Sequence, residues 1–111
     1  LGQLDTTKYR TDFKLEGSCN YAFNLILREA DDVLVERVMK TMRDAGVEFR
    51  RGSAGGGNQI RQPYLKGIVP DGHHREFPAT EHVHFYGFYI GNFPDLRDDE
   101  VDALCAILNS A

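Results

Sequence analysis

The sequence predicts a small two-layer α/β domain of the α+β type, in which helices pack on one face of a short, mostly antiparallel sheet. Two observations carry this prediction. The chain has 111 residues, 41% of them hydrophobic and 27% charged, which is typical of one compact core. Hydrophobic periodicity then orders the elements as strand, helix, strand, long loop, strand and helix. The first strand–helix–strand unit could instead be a right-handed parallel crossover, an alternative that periodicity leaves open.

The first strand is predicted over residues 20–28. The two-residue period of a strand gives one face and its opposite, made respectively of Tyr21, Phe23, Leu25 and Leu27, and of Ala22 and Ile26. We therefore expect both faces to be largely covered. Residues 1–19 are polar and are predicted to be a connector, so that residues 20–111 form the domain.

A helix is predicted over residues 32–45, followed directly by a strand over 47–51. Asp31 or Asp32 can cap the start of this helix, and Gly46 suits a left-handed turn after its end. Its apolar stripe repeats at helical spacing, in Val35, Val38, Met39 and Met42.

Residues 52–80 are rich in glycine and proline, so we expect an irregular segment there. A third strand is predicted over residues 82–90 because HVHFYGFYI is aromatic and β-branched. Gly87 within it indicates a bulge or the close approach of another backbone. After a turn at GNFPDL, a final helix is predicted over residues 98–108.

Composition excludes several classes of function. A net charge of -4 argues against a general nucleic-acid binder, which needs clustered basic residues. The chain has neither a signal-peptide pattern at its start nor a run of about 20 apolar residues, so we expect no membrane span and a cytoplasmic location. Cys19 and Cys105 lack the spacing of a zinc or redox motif and are predicted to be buried free thiols.

The glycine cluster GSAGGGNQ follows a predicted strand but has the spacing of neither a P-loop nor a dinucleotide fingerprint. What remains is a loop with many hydrogen-bonding side chains, namely Asn58, Gln59, Arg61 and Gln62. Such side chains on a flexible segment suit recognition of a polyhydroxylated or phosphorylated ligand.

Arginines and histidines supply two further candidate sites. Arg50 and Arg51 point to opposite faces of their strand, so at most one of them can share a pocket with Arg61; a solvated strand edge is the alternative. His82 and His84 have the same-face spacing of two metal ligands on a strand, but no third ligand has convincing spacing. We therefore predict no metal site.

Taken together, GGNQIRQPYL and YGFYIGN resemble the C-terminal part of the DegT/DnrJ/StrS family of pyridoxal-phosphate (PLP)-dependent sugar aminotransferases and sugar 3-dehydratases. The resemblance covers roughly residues 20–108. Its most specific parts are the run at 86–92 and the pattern made by Gly57, Asn58, Arg61, Gln62 and Pro63. Arg97 stands where the family often has a Ser or Thr cap, so Asp98 is expected to cap the last helix. Residues 65–81 match no family motif, which leaves the sugar open.

The resemblance implies that this chain is the small C-terminal domain of a fold-type I enzyme whose missing large domain binds PLP or pyridoxamine phosphate (PMP). None of the four lysines has the setting of the Schiff-base lysine, so no catalytic residue and no bound cofactor are expected in the fragment itself. Asn58 and Arg61, with Arg50 as a third, are the residues expected to contact the substrate and help close the active site. A start without Met agrees with a piece of a longer protein.

The implied parent is a homodimer that acts on a nucleotide-linked deoxysugar for lipopolysaccharide or another surface polysaccharide, by transamination or by dehydration. Two rival hypotheses remain open on the residues alone. One is a free-standing α/β small-ligand-binding or regulatory module whose glycine loop holds the ligand. The other is a metal-dependent enzyme that uses the histidines.

Overall fold

The computed structural model describes residues 2–52 and 57–111 and confirms the predicted fold class. Its α-helices and strands are β1 (Ala22–Ile26), α1 (Asp32–Asp44), β2 (Arg50–Arg51), α2 (Pro78–Tyr86), β3 (Gly87–Gly91) and α3 (Asp98–Ser110). Short 3-10 turns lie between β2 and α2, at Gln59–Arg61, Pro63–Leu65 and His73–Glu76. No helix of the described residues is long and apolar enough to cross a membrane.

The sheet is antiparallel, with β3 between β1 and β2. Because β1 and β2 each pair with β3 rather than with one another, the chain contains no parallel crossover at this point. Leu25 on β1 lies opposite Phe88 on β3, and both are buried. The same face carries Ile90, and α1 and α3 cover it. The core is thus a single layer between one sheet face and two helices.

Helix α1 follows the prediction closely. Asp31 is the N-cap, and its side chain accepts a hydrogen bond of 2.9 Å from the Leu34 N–H. Gly46 has a positive φ of 72°, as the left-handed turn after the helix requires. The predicted apolar stripe is buried against the sheet and α3. The GNFPDL turn is also confirmed, because the Leu96 N–H bonds to the Phe93 carbonyl before α3 begins.

The prediction of a strand over 82–90 is wrong in its first half. Helix α2 occupies residues 78–86, and the strand begins only at Gly87. Pro78 lies in the first turn of α2, a position that proline favours because its missing N–H is not needed there. Tertiary contacts then override the β propensity: His82 Nε2 lies 2.7 Å from the Leu27 carbonyl, and the Tyr86 hydroxyl donates to Asp32.

Other local expectations also need correction. Strand β1 is shorter than predicted, Tyr21 is 82% exposed, and Asn24 on the opposite face is exposed, so the two faces are not both covered. Strand β2 has two residues rather than five. Cys19 is exposed because it precedes β1 in a polar loop, whereas Cys105 on α3 is buried as predicted. The N-cap of α3 is Arg97 rather than Asp98, and the Glu100 carboxylate accepts from the Arg97 N–H.

The segment before β1 contributes to the core. Tyr9 is fully buried, and its hydroxyl donates to the Leu108 carbonyl at the end of α3. Burial raises the pKa of Tyr9 to about 12. Beside it, the Arg10 N–H bonds to the Ile26 carbonyl, and the Lys8 ammonium bonds to the Asn109 carbonyl. This segment therefore links the outer edge of β1 to the end of α3.

Gly87 and Gly91, at the two ends of β3, make a matched test of the α2–β3 junction. A Cβ on Gly87 would lie 2.5 Å from the Val83 carbonyl oxygen, whereas a Cβ on Gly91 would meet nothing within 4 Å. We expect Gly87→Ala to lower the free energy of unfolding by about 1–3 kcal/mol, since backbone must shift to relieve the overlap. Urea unfolding of both variants measures this. Equal effects of Gly87→Ala and Gly91→Ala would contradict the close approach.

Candidate functional site

The three predicted site residues lie in two places. Asn58 and Arg61 flank the 3-10 turn Gln59–Arg61, which packs beside α2. Arg50 lies on β2 and lines a separate open groove. The first place is a cluster of polar side chains that joins the glycine-rich segment to α2; we call it the α2 cluster, and its members are Asn58, Arg61, Glu81 and His84.

Asn58 is the buried centre of the α2 cluster, with 2% of its surface exposed. Its backbone N–H donates to His84 Nδ1 at 3.0 Å. Its side-chain Nδ2 donates to Glu81 Oε1 at 2.7 Å, and its Oδ1 accepts from the Ile60 N–H at the start of the 3-10 turn. Asn58 thus uses both its backbone and its side chain to hold the segment against α2, which leaves it little capacity to bind a ligand directly.

Arg61 forms a two-bond ion pair with Glu81. Nε donates to Oε1 at 2.7 Å and Nη2 donates to Oε2 at 2.6 Å, while the guanidinium lies 4.8 Å from the centre of the Phe85 ring. The hydrogen bond from Arg61, with a further one from Asn58, lowers the pKa of Glu81 to about 2. The planar guanidinium is therefore held in one orientation by a carboxylate that is ionised at neutral pH.

His84 is the point against which the glycine-rich segment closes. It is 8% exposed, and burial, followed by the nearby Arg61 charge, lowers its pKa. The neutral ring suits its role, because Nδ1 can accept the Asn58 N–H only when it carries no proton. A Cβ at Gly52 would lie 2.7 Å from His84 Cα, and one at Gly57 would lie 2.5 Å from His84 Nδ1. Both ends of the segment therefore need glycine.

Sequence reasoning missed three of the residues that build this place: Glu81, His84 and Phe85. The signal was present, since these residues have the i, i+3, i+4 spacing of one helix face. It went unused because residues 82–90 were assigned to a strand, in which His84 and Phe85 would point to opposite faces. Ser53 to Gly56, the first part of the predicted glycine loop, lie outside the described residues.

Arg50 belongs to an open groove of about 810 Å³ between the end of α1 and the outer edge of the sheet. Arg43 and Arg51 line the same groove. Of the two β2 arginines, it is Arg51 that approaches the α2 cluster: its Nη2 donates to the Phe85 carbonyl, and Arg61 stacks on the Phe85 ring. The sequence had correctly limited this approach to one of the two.

Histidine contacts in the described residues are directed at protein groups. His73 Nδ1 lies 2.6 Å from the Glu76 carboxylate, and His82 and His84 are bonded as described above. Within 2–52 and 57–111, no three His, Cys, Asp or Glu side chains come close enough to hold a metal ion.

Comparison with known proteins gives one likeness of fold. No protein-family model matches the chain, and no curated protein does. Among solved structures, the chain is similar to the crystal structure of GDP-4-keto-6-deoxymannose-3-dehydratase with a trapped PLP-glutamate geminal diamine. The TM-score is 0.54 at 20% sequence identity, over 79% of this chain and 22% of that chain. This chain thus spans about a fifth of the dehydratase it resembles.

Glu81→Gln tests the ion pair through its pH dependence. Because the pKa of Glu81 lies at about 2 in the folded chain, below its ordinary 4.5, the unfolded chain binds more protons between those values. The stability that the ionised carboxylate supplies is therefore complete above about pH 4.5 and is lost as the pH falls toward 2. We expect the variant to be less stable by about 1–2 kcal/mol at neutral pH.

Urea unfolding of wild type and Glu81→Gln between neutral pH and pH 2 measures this difference. It should shrink on acidification. Asp99→Asn is the control, because Asp99 pairs with an exposed arginine, Arg97, with 72% and 70% of the two side chains exposed. A Glu81→Gln effect that is no larger than that of the control, or one that does not change with pH, would contradict a stabilising pair.

Proposed function

We propose that this chain is the small domain of a PLP- or PMP-dependent enzyme that acts on a nucleotide-linked sugar, by transamination or dehydration. Residues 1–19 lead into it from a larger cofactor-binding domain, and residues 20–111 form the small domain. The observation that carries the proposal is the likeness of fold to a GDP-4-keto-6-deoxymannose-3-dehydratase over 79% of this chain. The motif resemblance at residues 57–63 and 86–92 supports it independently of the fold.

The lysines of this chain do not fit a covalent site for PLP. Lys8 already bonds to the Asn109 and Ala111 carbonyls, and Lys40 pairs with Asp44 on the surface of α1. Lys14 and Lys66 are exposed. The proposal therefore places the cofactor, and the chemistry it supplies, on polypeptide outside this chain, and no reaction step is assigned to residues of the small domain.

The small domain would contribute substrate contacts through Arg61, with Asn58 as a positioning residue. The ion pair with Glu81 uses Nε and Nη2 of Arg61, and Nη1 has no hydrogen-bond partner among the described residues. A guanidinium fixed in this way can offer Nη1 to a phosphate or a sugar hydroxyl at little cost in side-chain entropy. Arg50 would bind from its separate groove, on the other side of β2 from Arg51.

Kinetics of the full-length gene product test the role of Arg61, with GDP-4-keto-6-deoxymannose as the first substrate to try. We expect Arg61→Gln to raise KM about tenfold, the effect of losing one charge-assisted hydrogen bond, while the absorbance of the bound cofactor is unchanged. Arg97→Gln is the matched control, because Arg97 also pairs with a carboxylate but lies at the start of α3. Equal KM values for the two variants would remove Arg61 from the substrate site.

The domain assignment has its own test. The 111-residue chain, incubated with PLP, should show no saturable absorbance of a cofactor bound covalently to lysine. A saturable signal, abolished by changing one lysine, would mean that this chain holds the cofactor itself and would overturn the assignment. A reading frame that starts at the Leu1 codon, with no large domain encoded before it, would favour the free-standing small-ligand module.

A further inference from the structure

The open groove that holds Arg50 combines three guanidinium groups with aromatic rings, in a chain whose net charge is -4. We propose that this groove binds a diphosphate group, of the kind found in inorganic pyrophosphate and in nucleoside diphosphates. We call it the arginine groove, and it is defined by Arg43, Arg50 and Arg51 with Phe49 and Tyr89. The inference does not rest on the proposed function, since it holds equally for a free-standing module.

The three arginines of the groove lack internal counter-ions. Within residues 2–52 and 57–111, no carboxylate oxygen lies within 4 Å of their guanidinium nitrogens. Elsewhere in the chain the contrast is clear, because Arg10, Arg61 and Arg97 each pair with an Asp or Glu. Three cations that share one surface repel each other unless an anion joins them, so the arrangement favours a ligand with several negative charges.

Aromatic rings hold two of these guanidinium groups in place. Arg43 lies 5.6 Å from the centre of the Phe49 ring, and Arg51 lies 5.8 Å from that of Phe88. The two rings meet edge to face with their centres 5.7 Å apart. This stack of Arg43, Phe49, Phe88 and Arg51 orders both side chains before a ligand arrives, which reduces the entropy lost on binding.

Arg51 also has unused hydrogen-bonding capacity. Its Nη2 donates to the Phe85 carbonyl, but its Nε is buried without a hydrogen-bond partner. A buried unpaired donor destabilises the free protein, and an oxyanion drawn into the groove would supply the missing acceptor after a small rotation of the guanidinium. A phosphate oxygen fits this role because it accepts the paired N–H groups of a guanidinium side by side.

The size of the groove and the spread of its charges select a diphosphate over a single small anion. The groove encloses about 810 Å³ and is open to solvent, which is ample for two phosphate groups. One phosphate satisfies one or two guanidinium groups, whereas a diphosphate supplies enough oxygens for three. Glu48 also lines the groove and opposes anion binding, so its charge offers a second variable for the experiment.

Calorimetric titration of the purified chain with pyrophosphate, GDP, GMP and sulfate tests the proposal. Pyrophosphate and GDP should bind at least about tenfold more tightly than sulfate and GMP, and raising the salt concentration should weaken binding. A stronger signal for GDP than for pyrophosphate would identify a nucleotide as the source of the diphosphate. Sulfate binding as tight as that of pyrophosphate, or GDP binding with none for pyrophosphate, would overturn the proposal.

Variants locate the ligand in the arginine groove. Arg43→Gln and Arg50→Gln should each weaken pyrophosphate binding about tenfold, and Glu48→Gln should strengthen it. Arg37→Gln is the matched control, because Arg37 is an exposed arginine on the same helix as Arg43 but lies outside the groove. All four side chains are exposed, so circular dichroism should show an unchanged fold. Equal weakening by Arg37→Gln and Arg50→Gln would mean that only net charge matters, and would refute the site.

Discussion

One hydrogen bond, from the Asn58 N–H to His84 Nδ1, fixes the glycine-rich segment to the rest of the chain. The bond forms only because Gly52 and Gly57 let the backbone come within van der Waals contact of His84 from both sides. It also needs an unprotonated Nδ1, which the burial of His84 favours by lowering its pKa. Local backbone freedom, close packing and side-chain ionisation therefore all meet at His84. The geometry of the neighbouring polar residues depends on this attachment.

Once Asn58 is fixed, the remaining members of the α2 cluster follow in order. Its side chain bonds to Glu81, Glu81 stays ionised, and Arg61 is aligned by two hydrogen bonds to that carboxylate. A second set of arginines lies at the other end of β2, where aromatic rings rather than carboxylates order the guanidinium groups. The two sets differ in charge: the first is neutralised within the chain, whereas the second presents uncompensated positive charge. That difference is why we assign them separate ligands.

The parts of the fold set by local patterning were predictable. Helix α1 has a capping Asp31, a four-residue apolar stripe and Gly46 at its end, and each feature appears in the structure as expected. Helix α2 was not, because HVHFY has strand propensity and Pro78 was interpreted as a breaker rather than as the first helical residue. Sequence singled out Asn58 and Arg61 but not their partner Glu81, since the ion pair joins residues 20 positions apart across an irregular segment. Pairings of that kind depend on tertiary structure and leave no periodic signal.

Hydrogen exchange at the Asn58 amide tests the central claim most directly. If this N–H is bonded to His84 inside the folded chain, it should exchange at neutral pH as slowly as the buried amides of the β1–β3 ladder, although it lies in a segment without regular strand or α-helix. Acidification that protonates His84 should remove this protection before the ladder opens. Exchange at the rate of an unstructured peptide at neutral pH would contradict the account, because the segment would then not be attached to α2.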